Sequence, residues 1–130
     1  GEQRFTYAFY AWNGSFFESD VIREAYELNV PVTVVEGAGG RRSLFMLSAP
    51  NVILETVKPA EDGSPDIVLR LYESKRTATR CILETSLPVA AVTQTNMLEE
   101  PEAALACEQG RIPLDFRPFE IKTVVLSCEK

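Results

Sequence analysis

Three features of the sequence predict an all-β fold: an antiparallel β-sandwich of about eight strands with one short helix near the N-terminus. Short apolar runs recur between turn signals along most of the chain, with no strand–helix alternation that would require a parallel sheet. Residues 51–74, NVILETVKPAEDGSPDIVLRLYES, place Val52, Ile53, Leu54 and Val57 on one side of Pro59, Asp62, Gly63 and Pro65, and Ile67, Val68, Leu69 and Leu71 on the other. That is a hairpin signal, and the two runs are apolar at nearly every position, so the hairpin needs further sheet and a second layer to cover it. Only the segment from Phe17 to Leu28 carries a helical stripe.

Taken in order, FTYAFYAW (5–12) alternates Phe5, Tyr7 and Phe9 with Thr6, Ala8 and Tyr10, a period-2 pattern that predicts a strand, and residues 1–12 are expected to be a strand shared with or leading from a preceding domain. Asn13-Gly14 turns the chain. Ser15 and Glu18 have capping-box spacing, with Ser19 as a competing cap; Phe17, Val21, Ala25 and Leu28 then form one stripe, which Asn29 and Pro31 end. Val32 to Val35 is a β-branched run, and Gly37, Gly39, Gly40, Arg41 and Arg42 make a loop. That glycine run lacks the Lys-Ser/Thr of a phosphate-binding loop and no helix signal follows it. Further strands are predicted at 44–47, 77–85, 87–97, 112–116 and 120–128, with 103–107 either a short helix or an irregular strand. Pro88 suits a strand's first residue, and Gln109-Gly110 a turn. The 130 residues make one domain by length, with no internal linker, repeat or low-complexity tract.

Composition narrows the function. A net charge of −6 repels phosphate backbones and anionic bilayers, so neither nucleic acid nor membrane is an expected partner. The adjacent basic pairs Arg41-Arg42 and Lys75-Arg76 sit beside turn residues and read as solvated loop charge. No apolar run approaches the ~18 residues of a transmembrane helix. Cys81, Cys107 and Cys128 are odd in number and lack CxxC spacing, which points to a reducing, cytoplasmic setting.

The chain has no histidine, which removes the Ser-His-Asp and Cys-His systems and the commonest zinc ligand, so no metal site, cofactor or catalytic residue is assigned within it. Glu55, Glu73, Glu84 and Glu120 fall in predicted strands, where a carboxylate is more often ion-paired or solvated than catalytic. Folding the hairpin brings Glu55 opposite, or one step from, Arg70, a cross-strand structural ion pair. Trp12, with Tyr10 two residues away, lies just before a turn. Two uses are open to it: contact with substrate or an adjoining domain, or filling of a core. Arg117, between Phe116 and Pro118, is similarly a rim charge or a member of a local salt bridge.

Four ordered stretches, AYELNVP (25–31), NVILETVKPAED followed by IVLRLYES (51–74), NMLEEP (96–101) and PLDFRPFEIKT (113–123), together resemble the C-terminal β-sandwich domain of glycoside hydrolase family 38, the α-mannosidases, in its cytosolic or bacterial branch. The resemblance implies a piece of a longer enzyme. The parent would be a metal-dependent, retaining α-mannosidase acting on mannosides, with zinc and an aspartate nucleophile housed in N-terminal catalytic and central domains. None of those motifs occurs here, so the implied role is structural support with Tyr10, Trp12 and Arg117 at a substrate rim or domain interface. A carbohydrate-binding module and an adhesion-type sandwich are the alternative readings.

Overall fold

The computed structural model describes residues 1–30, 32–37 and 39–128. It divides into two units, Gly1–Gly39 and Gly40–Lys130. Among the described residues of the larger unit eight strands are formed: β1 (Phe45–Leu47), β2 (Val52–Pro59), β3 (Ile67–Glu73), β4 (Thr79–Thr85), β5 (Val89–Thr95), β6 (Pro101–Leu105), β7 (Arg111–Phe116) and β8 (Ile121–Cys128). They make a three-stranded sheet in the order β1-β4-β7 and a five-stranded sheet in the order β2-β3-β8-β5-β6, antiparallel throughout. Of the ambiguous 103–107 stretch, Ala103, Ala104 and Leu105 resolve as strand, pairing with Gln94, Thr93 and Val92 on β5, and the strand ends there.

Period-2 side-chain direction builds the core between the sheets. Leu69 and Leu71 from β3, Val124 and Leu126 from β8 and Val92 from β5 meet Cys81 and Leu83 from β4 and Ile112, Leu114 and Phe116 from β7. Strand β7 shows the alternation most plainly, with Ile112, Leu114 and Phe116 buried and Arg111, Pro113 and Asp115 exposed.

The central hairpin forms as its pattern predicts, but only β3 is covered on both faces. Val68 is fully buried on the face turned away from the core, while β2, an edge strand, leaves Val57 half exposed. A register shift between Leu54 and Thr56 marks a bulge at Glu55, which bends the edge strand and breaks its pairing. The Gln109-Gly110 turn also forms. Both residues have positive φ, 52° and 76°, and Glu108 and Arg111 close a two-residue hairpin.

The smaller unit contains a 3-10 turn at Phe16–Glu18 and one helix, α1 (Val21–Asn29). The Ser15/Glu18 pairing closes the 3-10 turn rather than starting the helix: the Glu18 carboxylate accepts the Ser15 amide at 2.8 Å and its hydroxyl at 3.0 Å. The helix starts after Asp20, while Ser19 donates its hydroxyl to the Phe16 carbonyl at 2.7 Å. Asn29 ends the helix; Pro31 lies outside the described residues.

Two expectations for this unit are corrected. Residues 5–12 form no strand, and neither do 32–35. A strand satisfies its backbone groups only against a neighbour, and among the described residues no ladder includes either segment. Alternation there is a pattern without a sheet to read it.

Candidate functional site

Three loops and strand ends of the larger unit converge on one buried carboxylate. Glu73 ends β3 on the same face as Leu69 and Leu71, and parity drives it inward, where its residue is 1% exposed. Its Oε1 accepts Asn51 Nδ2 at 2.8 Å and the Lys75 amide at 2.7 Å, and its Oε2 accepts the Phe119 amide at 3.0 Å. Asn51 Nδ2 also donates to Thr79 Oγ1 at 2.6 Å, and the Glu73 amide donates to the Glu120 carbonyl at 3.0 Å. Burial pushes this carboxyl upward, yet the donors from Phe119, Asn51, Lys75 and Thr77 outweigh it and hold it below the ordinary glutamate value.

The 117–120 turn, between β7 and β8, is fixed from both sides. Glu120 donates its amide to the Arg117 carbonyl at 3.0 Å, and its carboxylate accepts the Arg117 amide at 2.7 Å and Arg117 Nη2 at 3.2 Å. Lys122 Nζ stands 3.4 Å from the same carboxylate. Burial again acts upward on Glu120, and the Arg117 amide, the Lys122 charge and the Arg117 guanidinium pull it below its usual range. Within this turn Phe119 adopts φ 59°, a left-handed conformation unusual for an aromatic residue, and its ring is 61% exposed.

The 96–100 loop, between β5 and β6, is equally organised. Asn96 Oδ1 accepts the Leu98 and Glu100 amides at 2.9 and 3.0 Å. Glu99 pairs with Lys58 Nζ at 2.6 Å and accepts the Glu61 amide at 2.9 Å; that amide and Lys58 lower its carboxyl. Arg70 Nη2 donates to the Met97 carbonyl at 2.9 Å. The loop thereby reaches across the face of the five-stranded sheet to β2 and β3.

Between loop and turn lies an open cavity of about 740 Å3, lined by Gln94, Asn96, Glu102, Arg117, Phe119 and Lys122 among others. Gln94 takes Lys122 Nζ at 3.3 Å and gives its amide to Glu102 at 3.3 Å. Each carboxyl with a resolved shift, Glu18, Asp62, Glu73, Glu99 and Glu120, is lowered rather than raised. These groups are ionised acceptors that hold backbone in place. A general acid for glycoside cleavage has the opposite property, a raised pKa.

Of the residues singled out from sequence, Arg117 stands on the rim of this cavity with its side chain 85% exposed, paired to Glu120. Tyr10 and Trp12 belong to the smaller unit, stacked on each other at 5.8 Å and 24°, each a little over one third exposed. Glu55 sits in the bulge, its carboxylate accepting the Thr56 hydroxyl, and Arg70 stands one step away, opposite Thr56. Both line a smaller cavity with Tyr72, Met97 and Ile121. Sequence reasoning had placed Glu73 only as one strand carboxylate among several. The signal that marks it out is an acid on the core-facing parity of an apolar strand.

Among the described residues no three histidine, cysteine, aspartate or glutamate side chains gather to hold a metal ion, and no helix is long and apolar enough to cross a membrane. The three cysteines are free, Cys81 buried and the others partly so.

Residues 51–124 match the family described as the glycosyl hydrolases family 38 C-terminal beta sandwich domain. The chain is 39% identical over 134 residues to Alpha-mannosidase 2C1 of Mus musculus, 97% of this chain and 13% of that protein. It is 38% identical to Alpha-mannosidase 2C1 of Homo sapiens over the same shares, 97% and 13%. Alpha-mannosidase G of Dictyostelium discoideum is 30% identical over 95% of this chain and 12% of its own. The chain thus spans about one eighth of the length of these relatives. Asn51, Glu73, Asn96, Arg117 and Phe119 all fall in the matched segment.

Proposed function

The chain belongs to glycosyl hydrolase family 38, as the C-terminal β-sandwich domain of an α-mannosidase, and from that premise we propose that it is the non-catalytic support of a metal-dependent, retaining enzyme that hydrolyses terminal α-mannosides. In this reading the catalytic and central domains of the same polypeptide are its partners, and mannoside reaches it only through them. The observation that carries the proposal is the ordered likeness to α-mannosidases along almost the whole chain. The hydrogen bonds that occupy the Glu73 and Glu120 carboxylates support a structural role for these two groups, and their lowered pKa is the opposite of what a general acid needs.

A divalent metal, zinc in the first instance, would be held outside this chain. The residues here do not fit it: the sequence has no histidine, and among the described residues no acidic or thiol cluster offers three donors. No step of the reaction is routed through these residues. What the domain contributes is two stiff loops, 96–100 and 117–120, and an arginine on a fixed turn, suited to a rim or an interdomain contact. Tyr10 and Trp12 are assigned the same role in the smaller unit. The three free cysteines support a reducing compartment, the cytoplasm.

Assay of the full-length protein and of this chain alone with an aryl α-mannoside and added zinc tests the reading. Turnover is expected from the former only. Turnover by the purified chain would refute the supporting role, and none from the longer protein would refute the α-mannosidase assignment.

A further inference from the structure

The face of the five-stranded sheet turned away from the core carries an apolar patch that no described residue of the larger unit covers. Met97, Leu98 and Ile121 there are 54%, 80% and 59% exposed, and Phe119, in the adjoining turn and lining one cavity with Met97 and Ile121, is 61% exposed. Ile121 pairs with Tyr72 on the same face as Arg70, which itself pairs with Thr123. The 96–100 loop is drawn over that face by the Arg70–Met97 and Lys58–Glu99 contacts.

Two properties separate this patch from incidental surface apolarity. It is stiff: Phe119 is held through its amide by Glu73, Met97 through its carbonyl by Arg70, and Leu98 through its amide by Asn96. A partner therefore meets side chains whose backbone is already ordered, which lowers the entropic cost of docking. It is also chemically incomplete. Arg70 Nε is buried, and no hydrogen-bond acceptor among the described residues reaches it, at the edge of a cavity of about 260 Å3 lined by Glu55, Tyr72, Met97 and Ile121. A buried donor without a partner is costly, and arginine and tyrosine amid apolar neighbours is the composition of an interface anchor.

Relatives of this chain are about eight times its length, so a protein of that kind has a large body to seat against the sandwich. We propose that the Arg70/Met97/Leu98/Phe119/Ile121 face docks on the remainder of the full-length polypeptide, which covers the apolar side chains and presents a carboxylate or main-chain carbonyl oxygen to the Arg70 guanidinium where it lines that cavity. The proposal rests on the reading of the chain as one domain of a longer enzyme and adds the surface by which it is joined.

The test uses the full-length protein with Leu98→p-benzoylphenylalanine. After irradiation, peptide mapping is expected to show a crosslink within one polypeptide to a peptide outside residues 1–130. A crosslink between two copies, one to residues 1–39, or none at all overturns the proposal. In the same protein Ile121→Glu is expected to speed proteolytic release of the sandwich by roughly tenfold or more, because cleavage follows the population of the undocked form. An unchanged release rate also overturns it. Hydrolysis of an aryl α-mannoside, measured on each preparation, separates the two layers. Activity without the crosslink removes the docking face alone, whereas the crosslink without activity supports the face and removes the mannosidase reading.

Discussion

Residues 1–39 and residues 40–128 are both rich in apolar side chains, and they use them in opposite ways. In the larger unit Leu69, Leu71, Leu83, Ile112 and Leu126 are fully buried. In the smaller one Phe5, Tyr7, Phe9, Val32 and Val34 are each more than four-fifths exposed, and among its described residues Ser19 alone is buried. Apolar content alone does not separate the two; pairing does. Each core strand in the larger unit has a neighbour that takes its backbone hydrogen bonds, after which alternation sends every second side chain inward. FTYAFYAW has the alternation without the neighbour.

The largest expected effect tests whether the core sits where this contrast places it. Leu69→Ala, at the centre of β3 and fully buried, is expected to cost ~2 to 5 kcal/mol in urea denaturation monitored by circular dichroism. A cost near that of a surface change would move the core elsewhere. Gly110→Ala comes next. Gly110 has φ 76°, and an added Cβ would meet the Thr85 carbonyl oxygen, whose own amide donates to the Gly110 carbonyl at 2.8 Å. Strain and displacement together are expected to cost ~1 to 3 kcal/mol, read by the same titration.

Glu73 sharpens the comparison with pH. Its folded carboxyl titrates below the ordinary glutamate value, so in acid the unfolded chain takes up a proton first. The stabilisation is therefore whole above the unfolded pKa and is lost as pH falls through the folded one. Glu73→Gln is expected to cost ~1 to 3 kcal/mol at neutral pH, by leaving amide donors short of acceptors, and to flatten the acid slope of stability. Denaturation at a series of pH values checks both; a parallel shift with unchanged slope would show that another group sets the acid limit.

Much of the larger unit was legible because its signals are local and repeated. Proline and glycine separate the two apolar runs of the hairpin, a strand-like run marks 112–116, and Gln109-Gly110 suits a turn. What escaped depends on separations the chain does not display. The joining of Asn51, Glu73 and Phe119 crosses separations of 22 and 46 residues, and nothing near any one of them announces the other two. The bulge at Glu55 was hidden for a related reason: its residues have ordinary strand character, and only pairing against β3 reveals the extra one. The smaller unit misled in the other direction, where local signals were present and the long-range partner was not.

The smallest expected effect is therefore the most pointed. Phe9, at 94% exposed the most open of the large apolar residues, sits in the middle of the alternating segment. If period-2 alternation made that segment a strand, Phe9→Ala would remove a cross-strand partner and register as a core substitution does. Since it forms no ladder, the change is expected to alter the stability of this chain by less than ~0.5 kcal/mol, while Leu69→Ala in the same assay costs several times that. A loss comparable to Leu69→Ala would mean that residues 5–12 are packed in solution, and would return the segment to the sheet its alternation describes.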